Sequence, residues 1–136
     1  ILKLFLKMCD TMKVYLQKLV RKLRNAIYNR LSSNNPNNKG IRLQPTLFLG
    51  QGKIEIGNNT TFGYFPSPYY YNGYCHLEAR CADAVIRIGS NNHFNNNFSI
   101  VAEHGKVIIG DNCPYEHFDG NFPIHLICTF NLHQQQ

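Results

Sequence analysis

With 136 residues, 43% of them apolar, the chain is long enough for one folded core and too apolar for a disordered segment. Its formal charge of +6 is uneven: nine of the fourteen Lys and Arg precede residue 41, where Asp10 is the one acid. A basic arm therefore leads into a mildly acidic body, so an electrostatic partner is expected at the arm, and a nucleic-acid-binding body is excluded.

The chain begins with Ile rather than Met, which points to a true start upstream. Lys3, Lys7, Asp10, Lys13 and Lys18 interrupt the apolar residues of the first twenty positions too often for a membrane span. From Met12 to Leu31, the residues Met12, Tyr15, Leu16, Leu19, Val20, Leu23, Ala26, Ile27 and Leu31 recur at threes and fours, the period of one helix face. Lys13, Lys18, Arg21, Lys22 and Arg24 fill much of the remainder. The pattern predicts a basic amphipathic helix, ended by the turn-forming run from Ser32 to Asn38. Its apolar face can pack on the body or on a sister subunit. It can also lie on an anionic membrane through residues 12–31, where each Lys or Arg contributes about 1 kcal/mol. Nucleic acid is a third partner and is not expected.

After Gly40 the pattern changes. Ile56-Gly57-Asn58-Asn59, Ile88-Gly89-Ser90-Asn91 and Ile109-Gly110-Asp111-Asn112 repeat one tetrapeptide, each after a short β-favouring run. Ile88, Phe94 and Ile100 stand six apart, as do Ile56 and Phe62. A six-residue apolar period sends one large side chain inward per flat face. Three such faces close a triangular coil of about eighteen residues whose strands pair with the coils above and below. Gly and Asn suit the corners because they accept positive φ at little cost. An Asn-rich β protein with Ile-Gly hairpins is the competing reading; three tetrads with attached hexads argue against it. Ile88 and Ile109 are 21 residues apart, so a short loop should protrude at Ala102-Glu103-His104-Gly105. The aromatic stretch near 63–76 reads as a larger excursion. The organisation expected is therefore a helix and linker at 1–39, coils at 40–113 and an off-pattern tail at 114–136.

Five cysteines, Cys9, Cys75, Cys81, Cys113 and Cys128, make an odd number, show no C-x-x-C pair and accompany no cleavable signal. Reduced thiols in the cytoplasm are expected.

The ordered series Leu77-Glu78-Ala79-Arg80, Ala84 to Gly89, Phe94 to Glu103 and Val107 to Cys113 resembles the hexapeptide-repeat O-acetyltransferases. The similarity runs from about Gly40 to Cys113 and is greatest to maltose and galactoside acetyltransferases and to enzymes that acetylate capsule or lipopolysaccharide sugars. The resemblance implies a mainly β fold, a left-handed parallel β-helix, preceded here by the amphipathic helix. It also implies a homotrimer with acetyl-CoA, the co-substrate, in grooves between neighbouring coils, and no metal. In that family a histidine takes the acceptor hydroxyl's proton as the oxygen attacks the thioester, a task that an imidazole titrating near neutrality suits. By position, Asn97 and Glu103 would bind the acceptor sugar. Asn97 is also readable as a corner residue satisfying backbone groups.

The family's histidine stands on a coil beyond the Ile-Gly-Asp-Asn-Cys segment, whereas Pro114 to Pro123 abandons the hexad. The expectation is a chain truncated or frameshifted after Cys113. His104 is then the histidine best placed in an outward loop as a candidate base, against a plain solvent-exposed loop histidine. Three alternatives follow: an acetyl-CoA-dependent transferase, an inactive remnant that only associates, and a zinc enzyme of the gamma-carbonic-anhydrase kind using His76, His93, His104, His117, His125 or His133. The histidine spacing matches no such zinc motif. No Ser-His-Asp order, phosphate loop or dinucleotide fingerprint competes.

Overall fold

The computed structural model describes residues 1–112 and the backbone of one short strand at 125–126. Apart from that strand, the off-pattern tail lies outside the described residues, as do the thiols of Cys113 and Cys128 and the side chains of His117, His125 and His133.

Helix α1 runs Leu2–Leu31, 30 residues, or about 45 Å at 1.5 Å per residue. It starts ten residues before the expected Met12, because no Gly or Pro interrupts the leading segment and its Leu, Lys and Met favour helix. It stops at Ser32, which turns extended (φ −74, ψ 129) while its N–H and hydroxyl both donate to the Tyr28 carbonyl, at 3.0 and 2.7 Å.

No residue of α1 is buried. The apolar stripe does not pack on the chain's own body, one of the expected arrangements: Leu19 is 63% exposed and Leu23 60%. The flanking polar side makes the contact instead. Gln17 Nε2 donates to the Tyr71 hydroxyl at 3.2 Å, Arg24 donates to the carbonyls of Tyr70 and Gly73, and Asn25 Nδ2 donates to the Arg42 carbonyl. Arg42 returns a bond to Asn29 Oδ1 at 2.6 Å, and the rings of Tyr28 and Tyr74 lie 5.2 Å apart. The reason is local: the surface facing α1 presents backbone carbonyls and a guanidinium, which need polar partners.

The strands are β1 (Ile41–Arg42), β2 (Thr46–Leu49), β3 (Lys53–Ile56), β4 (Thr61–Phe62), β5 (Cys75–Ala79), β6 (Val85–Ile88), β7 (His93–Phe94), β8 (Ser99–Ala102), β9 (Lys106–Ile109) and β10 (His125–Leu126). They form three sheets, β1-β4-β7, β2-β5-β8-β10 and β3-β6-β9, and every pairing is parallel. From β1 to β9 the chain visits the three sheets in strict rotation, a parallel β-helix-like arrangement of three turns.

The register stacks like on like: Ile56 on Ile88 on Ile109, Phe62 on Phe94, Leu77 on Ile100. All six residues expected to point inward, Ile56, Phe62, Ile88, Phe94, Ile100 and Ile109, are buried. Each strand of the third sheet adds a second inward residue, Ile54, Ile86 or Val107, since positions i and i+2 of a strand share a face. The last Asn of each tetrad, Asn59, Asn91 and Asn112, takes a left-handed φ of 60, 57 and 53°. The Asn59 amide donates to Asn91 Oδ1 at 3.0 Å, continuing the stack through the corner. The tetrad glycines serve another need. A Cβ on Gly57 would lie 2.5 Å from the Gly89 carbonyl carbon, so the coils approach too closely for any side chain.

The free edge of the first turn is capped. Asn34 Nδ2 donates to the carbonyls of Gly50 and Gly52, and Asn38 Nδ2 to those of Ile56 and Gly57. The Asn-rich linker thus ends the helix and also satisfies an exposed strand edge. The aromatic excursion occupies 63–74, between β4 and β5. Gln44, fully buried, holds it: its Nε2 donates to the Tyr69 carbonyl at 2.8 Å, and its Oε1 accepts from the Asn97 N–H at 2.8 Å and from the Cys75 thiol at 3.5 Å.

Candidate functional site

The outer face of β5 carries a polar row. His76 Nε2 and Arg80 Nε meet the two carboxylate oxygens of Glu78 at 3.1 and 3.0 Å, and Arg80 Nη1 reaches Glu103 at 3.8 Å. The Arg80 hydrogen bond, and then that of His76, holds the Glu78 carboxyl below its usual range.

The row ends at a corner where two turns stack. Residues 80–84 link β5 to β6, and residues 103–105 link β8 to β9 directly above. Backbone bonds lock the two turns together: Arg80 N to Ala102 O at 2.8 Å, Cys81 N to Glu103 O at 3.3 Å and Val85 N to Gly105 O at 2.8 Å. Gly105 turns the upper one with φ +82°. The protruding loop expected around His104 is this upper turn.

His104 is engaged at both ring nitrogens. Nδ1 faces Asp83 Oδ1 and Oδ2 at 3.0 and 3.2 Å, and Nε2 faces Cys81 Sγ at 3.7 Å. The carboxylate selects the tautomer with its proton on Nδ1, leaving the Nε2 lone pair toward the thiol. The His104 hydrogen bond holds the Asp83 carboxyl below its usual range. Cys81 is half-buried, while Asp83 and His104 are exposed. Cys75, by contrast, is buried, and burial pushes its thiol up to about 12. Among the described residues, Cys9, Cys75 and Cys81 are free thiols.

Of the residues singled out from the sequence, Glu103 and His104 are neighbours in the upper turn. Asn97 lies beyond the opposite end of β8, with the whole of that four-residue strand between it and Glu103. It adopts φ 60° at a corner, its N–H is taken by Gln44, and its side chain abuts Gly73. Within one chain the three residues do not converge. Cys81 and Asp83 are the side chains of this corner to which sequence reasoning gave no role. The signal was present: Asp83 and His104 are 21 residues apart, the same interval as Ser90 and Asp111 one corner away. Residues one coil apart sit directly above one another.

Among the described residues, Cys81, Asp83 and His104 form a group of metal-capable side chains whose ligand atoms lie within 4.8 Å of one another, and no trio of histidines does. An open groove of about 560 Å³ between the Asn34–Asn38 segment and β3 reaches Ala82, beside this corner. No described helix is long and apolar enough to cross a membrane. Comparison with protein-family models, curated proteins and solved structures finds no match to this chain.

Proposed function

We propose that this chain is an acetyl-CoA-dependent O-acetyltransferase acting on a hydroxyl of a sugar or surface-polysaccharide precursor. The scaffold of this reading is a left-handed parallel β-helix, trimeric in its working form and cytoplasmic, with α1 resting on anionic membrane. The observation that carries it is the strict rotation of three parallel sheets, with an Ile-Gly-x-Asn corner in every turn. This is the pattern on which the resemblance to hexapeptide-repeat transferases rests. The exposed apolar stripe of α1, with Lys18, Lys22 and Arg21 beside it, supports a partner outside the chain's own body, of which lipid is the one proposed.

In this reading Asn97 and Glu103 bind acceptors in different inter-subunit grooves, because β8 separates them. His104 is a poor general base in its present pairing: a base needs a free lone pair within about 3 Å of the acceptor hydroxyl, and the one lone pair left by the Asp83 contact, on Nε2, faces the Cys81 thiol. The separation and the pairing together favour a second reading, a fold fragment that associates without transferring acetyl groups.

Acetyl-CoA consumption with a panel of sugar acceptors separates the two readings, alongside the mass in solution by light scattering. Turnover that falls at least tenfold in Asn97→Ala and Glu103→Ala supports the transferase. A trimer that neither binds nor consumes acetyl-CoA supports the fragment, and a monomer without turnover overturns both.

A further inference from the structure

We infer that Cys81 and His104 bind a divalent transition-metal cation of the zinc class, with Asp83 orienting the histidine from behind. The site is independent of the acyl-transfer reading, since none of its geometry depends on acetyl-CoA.

The pair has the bite of a metal site. Zinc takes sulfur at about 2.3 Å and imidazole nitrogen at about 2.0 Å, and at a tetrahedral angle those bonds put the two ligand atoms about 3.5 Å apart. Cys81 Sγ and His104 Nε2 stand 3.7 Å apart, close to that separation, so a small swing of either side chain admits a cation between them. The outer contact of the histidine fits as well. A metal-bound histidine usually donates its other N–H to a carboxylate, which fixes the tautomer and strengthens the donor. Asp83 occupies that position at 3.0 Å from Nδ1.

Charge and hardness narrow the ligand. A Cys81 thiolate and the Asp83 carboxylate balance a dication. Thiolate with imidazole selects zinc-like ions over Mg²⁺ and Ca²⁺, which prefer oxygen. On binding, the Cys81 S–H proton leaves to solvent, the sulfur–metal bond forms and no oxidation state changes. The backbone bonds between the two turns hold the ligands in place beforehand, so little ordering accompanies binding. Two protein ligands leave positions open on the solvent side for water or an anionic group.

The test is titration of the full chain, kept reduced, with Co²⁺ as the probe. The expected result is one tightly bound cobalt per chain with a thiolate-to-cobalt charge-transfer band in the near ultraviolet, displaced by Zn²⁺. Cys81→Ser should abolish the band, and His104→Ala should weaken binding at least tenfold. Asp83→Asn should retain the band with affinity about 10–100-fold lower. Cys9→Ser and a Cys113→Ser/Cys128→Ser double variant should bind as the parent does. Circular dichroism confirms the fold of each variant. Absence of the band in the parent, or its persistence in Cys81→Ser, overturns the site. Unchanged affinity in Asp83→Asn overturns the orienting role.

Discussion

Changing Gly89 to Ala tests the stacking of the coils more directly than any core deletion. A Cβ there would meet the Gly110 carbonyl carbon and oxygen at 2.7 Å and would also crowd Asp111 Oδ1. The first two are backbone atoms of the next turn and cannot rotate away. Relief to an ordinary contact of about 3.4 Å opens the pairing by about 0.7 Å at a corner where strands sit about 4.8 Å apart. Overpacking of this kind costs about 1–3 kcal/mol. For a body of this size each kcal/mol lowers the melting temperature by about 4–8 °C, so Gly89→Ala should melt roughly 4–24 °C below the parent. Gly57→Ala, facing Gly89 and Ser90 backbone at 2.5 and 2.6 Å, should behave alike. Gly110 is the internal control, because its Cβ would meet nothing within 4 Å among the described residues. Gly110→Ala should therefore leave the melting temperature close to the parent's. Thermal melts by circular dichroism read all three. Equal losses at all three positions would show that the cost lies in backbone conformation and not in coil contact, refuting the stacking argument.

Ile88→Asp buries an unpaired carboxylate at a position only 2% exposed and should unfold the body, a loss of more than about 3 kcal/mol; a parent-like urea midpoint would show the register to be wrong. Glu55 is held at about 2 by hydrogen bonds from Lys53 first and Arg87 second. Because its folded value is depressed, its stabilising contribution is present above the ordinary glutamate range and fades as pH falls toward about 2. Carboxyl NMR should give a midpoint near that value, moving upward in Arg87→Ala; a midpoint in the ordinary range would show the pairs to be absent in solution. Weak binding to anionic vesicles is expected through α1, falling as salt screens its Lys and Arg; co-sedimentation measures it, and salt-insensitive behaviour without vesicle binding would leave a sister subunit as the stripe's partner.

The parts of the fold that were legible in the sequence are those written in side-chain periodicity. Ile88, Phe94 and Ile100 at intervals of six dictate three inward faces, and the tetrad asparagines mark corners that need left-handed φ. The start of α1 was not legible, because Leu2 to Thr11 lacks a clean three-four period and only its propensity favours helix. The orientation of α1 was hidden for a different reason: a stripe of Leu and Ile announces a buried face, but which surface buries it depends on partners beyond the segment. The site was half legible. His104 stood out as a histidine in a loop the coil had to expel, whereas Cys81 and Asp83 gained meaning only once the 21-residue interval was applied to polar residues as well as apolar ones.

Gln44 carries a consequence for how the fold tolerates change. Its amide ties the Tyr69 carbonyl to the Asn97 N–H, and Asn96 adds bonds to the carbonyls of Tyr64, Ser67 and Pro68, so the corner between β4 and β5 is closed by side chains that grip the loop where it leaves the strands. The strands on either side stay in register although this turn takes 32 residues where the next takes 21. Loop closure adds only about 0.6 kcal/mol for each doubling of length. The corner is thus a natural grafting point, where segments of different length and chemistry can be exchanged while the stacked strands keep their pairing.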